Sequence, residues 1–105
     1  MKKFNYISSA KKTFKTESEA INNLSKQIDK DFVSLCDAIK LSDGKFIIMG
    51  VGKSGHIGQK ISATLSSTGT GSIFIHPTEA AHGDLGLIEK KDIVFLISNS
   101  GETDE

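Results

Sequence analysis

The chain reads as an α/β domain on a short parallel sheet, and three observations predict it. Apolar runs of strand length occur at 46–51, 72–75 and 93–97. A helical pattern at about 55–68 separates the first two, and strand–helix–strand spacing of this kind implies parallel strands with right-handed crossovers. The third run, Ile93-Val-Phe-Leu-Ile97, is apolar at every position, as expected of a strand covered on both faces.

Taken in order, the elements follow from local chemistry. Residues 1–15 are polar and basic, with Ile7, Ala10 and Phe14 at helical spacing. Ile21, Leu24, Ile28, Phe32, Leu35 and Ile39 recur at three and four, which predicts one amphipathic helix or two abutting ones. Thr16 with Glu19 is a candidate capping box, and Asp29 or Asp31 a candidate cap for a second helix. Cys36 falls in the apolar pattern and is expected in the core. Ser42-Asp-Gly44 is turn chemistry. After the first strand comes Gly50-Val-Gly-Lys-Ser-Gly55, read as a glycine turn opening a helix that turns Ile57, Ile61, Thr64 and Leu65 to one face. Thr68–Gly71 is a break. Pro77–Ala81 reads as a short helical turn, His82–Gly86 as a loop and Glu89–Asp92 as a polar turn.

At 105 residues there is room for one small domain. Thirteen basic and thirteen acidic residues cancel, which disfavours a nucleic-acid partner, since phosphate-backbone binding usually shows as a basic excess. Any anion site must therefore be local. A single Cys excludes a disulfide framework, and His56, His76 and His82 lack metal-ligand spacing. A reducing cytoplasm is the expected compartment. The basic N-terminus is followed by no apolar stretch, so neither a signal peptide nor a membrane span is expected. The last residues, Ser98–Glu105, read as a turn and the opening of a helix, so the chain is expected to be cut in mid-unit.

Two turns carry the chemistry. A strand, a tight glycine turn and a helix N-terminus converge backbone N–H groups on one point, and Lys53 and Ser54 add a charge and a hydroxyl there. Gly50-x-Gly52-x-x-Gly55 has the letters of a dinucleotide fingerprint. That reading needs an acidic residue after the second strand, where this chain has His76-Pro77. A Walker loop needs glycine at position 47, which is Ile47. The plain alternative is a glycine turn that serves only helix–sheet packing. The second turn, Ser98-Asn-Ser-Gly-Glu-Thr103, offers hydroxyls and backbone N–H groups for phosphate oxygens; its plain alternative is ordinary N-capping. Both turns stand at carboxyl ends of parallel strands, where ligands of open α/β sheets bind. Glu79-Ala-Ala-His-Gly-Asp84 adds two carboxylates and an imidazole, a set capable of proton transfer or of a purely structural role.

Gly50-Val-Gly-Lys-Ser-Gly-His-Ile-Gly58, Ser67-Thr-Gly69, His76-Pro-x-Glu-Ala-Ala-His-Gly-Asp-Leu-Gly86 and Ser98-Asn-Ser-Gly-Glu102 resemble the sugar isomerase (SIS) domain of D-arabinose 5-phosphate isomerases. The resemblance runs from about Ala10 to the end. It implies a flavodoxin-like three-layer α/β/α fold, here truncated to about three strands in the order 2-1-3. It implies a helical region, 1–41, packed on the sheet, and the first half of a SIS domain at 42–105. The implied reaction interconverts D-ribulose 5-phosphate and D-arabinose 5-phosphate for Kdo, a sugar of lipopolysaccharide or capsule, without an organic cofactor. Lys53, His82 and Glu105 match catalytic positions of the family. Gly52, Ser54, Gly55, Ser98, Asn99, Ser100 and Thr103 match its substrate-binding turns. Such an isomerisation needs a base, for which Glu105 is the candidate, and a cation near the developing oxyanion, for which Lys53 is; His82 is left for ring opening or hydroxyl protons. Complete members continue well past this length and are tetrameric, so a homo-oligomer is implied for the complete protein, and the fragment alone is expected to be inactive. Against this stand a sugar-phosphate-binding module without turnover and, less favoured, a dinucleotide-binding unit.

Overall fold

A computed structural model describes residues 2–102. The order is α1 (Tyr6–Leu24), a 3₁₀ turn (Ser25–Gln27), α2 (Lys30–Leu41), β1 (Phe46–Gly50), α3 (Gly52–Ser67), β2 (Ser72–Phe74), α4 (Pro77–Ala81), a second 3₁₀ turn (Asp84–Leu87) and β3 (Ile93–Ile97). The backbone divides into two compact units at the Leu35–Cys36 junction.

In the first unit, α1 starts earlier than the Thr16–Glu19 capping box would allow. Asn5 is its N-cap, accepting from the Ser8 N–H at 2.9 Å, and the helix runs straight through Thr16. The Asn5 cap satisfies one orphan donor at the start, and nothing at Thr16 interrupts the ladder. The predicted second helix is there, with Asp29 rather than Asp31 at its start: Asp29 Oδ1 accepts from the Asp31 N–H at 2.9 Å. Neither α1 nor α2 buries a residue. Cys36, expected in the core, is exposed.

The second unit holds a three-stranded sheet in the order β2-β1-β3, parallel throughout, as the spacing and the resemblance predict. Phe46 pairs with Ser72 on one side and Ile93 on the other, and Gly50 pairs with Ile97. All five residues of β1 are buried, with Ile47 and Ile48 fully so. On one face Ile47 and Met49 pack with Ile75 and Ala80, flanked by Ile73 and Ile88. The other face receives α3.

There the structure corrects the predicted helix face. The buried residues of α3 are Gly55, Gly58 and Ser62, while Ile57 and Thr64 are exposed and Ile61 and Leu65 only half-buried. The reason is closeness. A Cβ at Gly58 would stand 2.9 Å from Ile48 Cγ2 and 3.2 Å from the Phe74 ring. At Gly55 it would stand 2.5 Å from the Gly50 carbonyl oxygen. Only small residues fit that seam, and the hydrophobic matter comes from the strand side. The predicted glycine turn is likewise shorter than expected, because α3 already begins at Gly52.

Hydroxyls tie the far ends together. Ser72 Oγ donates to the Phe46 carbonyl at 2.7 Å and shares a 3.0 Å hydrogen bond with Ser62 Oγ. Ser66 Oγ donates to the Ser72 carbonyl at 2.8 Å, closing the α3–β2 connection. At the amino ends of β1 and β3, Asp92 accepts from the Lys45 N–H and the Glu89 N–H, each at 2.7 Å, and pairs with the Lys45 ammonium at 3.2 Å. The Glu89 and Lys45 backbone donors, aided by that ammonium, hold the Asp92 carboxyl below its ordinary range. β3, expected to be covered on both faces, alternates instead: Val94 and Leu96 are exposed, and Ile93, Phe95 and Ile97 are half-buried. The Val94 and Leu96 side chains continue the Ile47–Met49 face, where Ala80 of α4 and the half-buried Ile88 pack with Ile47, Met49 and Ile75.

Two predictions follow from this packing. Gly58→Ala should cost about 1 kcal/mol, overpacking partly offset by better helix propensity, and Gly55→Ala about 3 kcal/mol, because a backbone carbonyl cannot rotate aside; urea unfolding of the two variants gives the ranking. Because the folded carboxyl of Asp92 lies below its unfolded value, its stabilisation is complete at neutral pH. It is lost as pH falls from the ordinary aspartate range toward the folded value. Asp92→Asn should therefore flatten the fall in urea midpoint between pH 5 and pH 2, and an unchanged acid slope would dismiss the clamp.

Candidate functional site

Gly50 and Ile97 are paired neighbours, so the chain leaves β1 and β3 side by side at the carboxyl edge of the sheet. The α3 start follows the first and the serine turn the second. Between them lies a cavity of about 350 Å³ lined by Met49, Gly50, Val51, Pro77, Leu96, Ser98 and Gly101. The ends of β1 and β3 form two of its walls, the serine turn a third and the start of α4 the fourth.

The α3 end leaves backbone donors ahead of its hydrogen-bond ladder. The first intrahelical bond runs from the Gly55 N–H to the Val51 carbonyl at 3.3 Å, so the N–H groups of Gly52, Lys53 and Ser54 precede the ladder. Val51, the N-cap residue, has no side-chain acceptor, and among the described residues no side chain caps this helix. No acidic residue stands in the first turn. Lys53 stands there instead, exposed, adding positive charge to the positive end of the helix dipole, a placement unfavourable for the helix alone. Gly52 takes φ +60°, and a side chain there would meet open space, so glycine serves the backbone's entry into the helix rather than a packing need. Ser54 is half-buried, and Gly55 is buried against Gly50.

The serine turn is organised by its own hydroxyls. Ser98 Oγ accepts from the Gly101 N–H at 2.9 Å and Ser100 Oγ from the Glu102 N–H at 3.1 Å, with Gly101 at φ +73°. Ser98, Asn99 and Ser100 are exposed. Thr103 and Glu105, read from the sequence as substrate-binding and catalytic, lie outside the described residues.

Of the residues singled out from sequence, Ser98 lines the cavity directly. Gly52, Lys53, Ser54 and Gly55 form the adjoining helix start, and Asn99 and Ser100 the adjoining turn. His82 is the C-cap of α4 and is exposed; it does not line the cavity. Sequence reasoning missed Met49, Leu96 and Pro77 as walls. Pro77 was legible, because His-Pro before a short helical pattern places proline at N1. Among the described residues no group of His, Cys, Asp or Glu is arranged to hold a metal ion, and no helix is long and apolar enough to cross a membrane.

Residues 41–105 match the SIS domain family model. The chain is 49% identical over 100 residues to the arabinose 5-phosphate isomerase KdsD of Pseudomonas aeruginosa, covering 95% of this chain and 31% of that protein. It is 54% identical over 100 residues to the arabinose 5-phosphate isomerase KpsF of Escherichia coli CFT073, covering 94% of this chain and 31% of that one. The chain thus spans about 31% of the length of these curated relatives. A solved Escherichia coli CFT073 protein in complex with arabinose 5-phosphate superposes with a TM-score of 0.89 at 44% identity, over 98% of this chain and 55% of that one. The family model covers most of this chain, including both carboxyl-edge turns and the sheet between them: the chain belongs to the SIS domain family.

Proposed function

We propose that the chain carries the sugar-phosphate end of an aldose–ketose isomerase that interconverts D-ribulose 5-phosphate and D-arabinose 5-phosphate. The observation that carries this reading is the pairing of an uncapped, lysine-bearing helix start with a hydroxyl-rich turn on adjacent parallel strand ends. The likeness to curated arabinose 5-phosphate isomerases supports the substrate.

In this reading the phosphate takes hydrogen bonds from the first-turn N–H groups of α3 and from Ser54, Ser98, Ser100 and Thr103. Helix dipole and Lys53 supply the countercharge locally, in a chain whose acidic and basic residues balance. Isomerisation moves the C2 proton of the aldose to C1 through an enediol. A carboxylate base, Glu105, takes the proton from C2 and returns it to C1. The hydroxyl proton passes from O2 to O1, with Lys53 stabilising the developing oxyanion and His82 relaying hydroxyl protons. The product serves Kdo synthesis in the cytoplasm, and the complete protein works as a homo-oligomer.

One observation favours a second reading for the chain by itself. Among the described residues no acid or base lines the cavity, whose walls there are Met49, Gly50, Val51, Pro77, Leu96, Ser98 and Gly101. A chain so built binds a sugar phosphate without turning it over.

Calorimetric titration with arabinose 5-phosphate, beside an assay of its formation from ribulose 5-phosphate, separates the two. Binding with turnover near 1 s⁻¹, the ordinary enzyme range, supports isomerisation by this chain; binding alone supports the module. A folded chain that binds neither sugar phosphate overturns both. Where binding is found, Ser100→Ala should weaken it about tenfold or more, the loss of one hydrogen bond to a charged group.

A further inference from the structure

We propose that His76 is a positioning residue: its ring Nδ1 caps α4 and through that helix sets the backbone that carries His82. The proposal rests on the sugar-phosphate reading only for the importance of His82; the cap itself stands on geometry.

α4 has five residues, too few to hold a helical conformation unaided. Its middle is seated by burial, since Pro77 and Ala80 are buried and Ala80 packs with Ile47, Met49 and Ile75. Its ends are set by hydrogen bonds. Pro77, at N1, has no N–H, so the first donor of the helix that needs a partner is Thr78. His76 Nδ1 lies 3.1 Å from it. A backbone N–H can only donate, so the nitrogen facing it carries the lone pair and the ring proton sits on Nε2. The His76 carbonyl also accepts from the Ala80 N–H at 3.0 Å, which makes His76 a double anchor for the helix start.

The other end is tied to the same residue. The His82 N–H donates to the Thr78 carbonyl at 3.2 Å and to the Glu79 carbonyl at 3.1 Å, and the Gly83 N–H donates to the Ala80 carbonyl at 3.2 Å. Thr78 therefore gives its N–H to the His76 ring and takes the N–H of His82 on its carbonyl. Releasing the first bond frees Thr78, and with it the acceptor that orients the His82 backbone. Histidine is not among the favoured N-cap residues, which are Ser, Thr, Asp and Asn; here its ring presents an acceptor at the same distance from Cβ as the Oδ1 of Asn.

That equivalence supplies the test. In Asn, Oδ1 stands where Nδ1 stands; in Gln, the amide reaches instead to the place of Nε2. The unmodified chain, His76→Ala, His76→Asn and His76→Gln are compared by NMR for water exchange of the Thr78 and His82 amides and for the His82 ring resonances, first without ligand and then with arabinose 5-phosphate. The expected result is exchange about fivefold faster at both amides, with displaced His82 ring resonances, in His76→Ala and His76→Gln, and near-normal values in His76→Asn. Unchanged Thr78 exchange in all variants overturns the cap. Faster Thr78 exchange with His82 undisturbed overturns the positioning role. Rescue by Gln rather than Asn overturns it too, and assigns the ring's work to Nε2. The ligand-free measurements decide these points even if arabinose 5-phosphate leaves every resonance of the unmodified chain in place, an outcome that would count against the sugar-phosphate reading alone.

Discussion

The close approach of α3 to β1 is the constraint on which the second unit depends. Gly55 lies directly over the Gly50 carbonyl, and Gly58 over Ile48 and Phe74, with no space for a methyl group at either. Contact this close restricts sliding and rotation of the helix, and so sets where its N-terminus emerges. That place is the carboxyl end of the central strand. The glycines of Gly50–Gly58 thus do two different things: Gly52 gives the backbone its positive φ, whereas Gly55 and Gly58 remove side chains so that the helix can be where it is.

The two edges of the sheet are specialised in opposite ways. At the amino edge, the Asp92 carboxylate occupies the donors of Lys45 and Glu89, so the start of β1 and the approach to β3 are closed by groups of the chain itself. At the carboxyl edge the first-turn donors of α3 have no side-chain acceptor among the described residues. Only the serine turn caps itself there, by short-range bonds from its own amides. Internal satisfaction at one edge stabilises the sheet, and unmet donors at the other leave an attraction for a ligand anion. The chain's balanced charge is no obstacle, because the potential at a helix start is set within one turn.

α4 joins these edges to the chemistry of the middle segment. It covers Ile47 and Met49 through Ala80, contributes Pro77 to the cavity wall, and ends at His82. One five-residue helix is therefore core, wall and carrier at once. Its short length makes it dependent on its caps, and explains why an imidazole is spent on a backbone amide.

Much of this was legible in order along the chain. Period and length predicted the three strands, parallel pairing followed from the strand–helix–strand spacing, and the two turns announced themselves as glycine and serine clusters at strand ends. The amphipathic stripe of α1 was legible too, but not its start: composition pointed to Thr16, and the bonded amide of Ser8 puts the cap at Asn5. The buried face of α3 was misread because hydrophobicity was taken as the mark of burial. When a helix lies against a strand at van der Waals limit, the mark is smallness. Cys36 and β3 were misread for a related reason, since an apolar residue states what would gain from being covered, not what covers it. His76 had no sequence signal as a cap, because histidine rarely serves as one. The sequence by itself determined the elements, their direction and the glycine and serine turns at the strand ends, since these depend on local periodicity and side-chain chemistry. Tertiary structure alone decided which face of α3 is buried and which walls close the cavity, because each depends on distances between segments that are far apart in the chain.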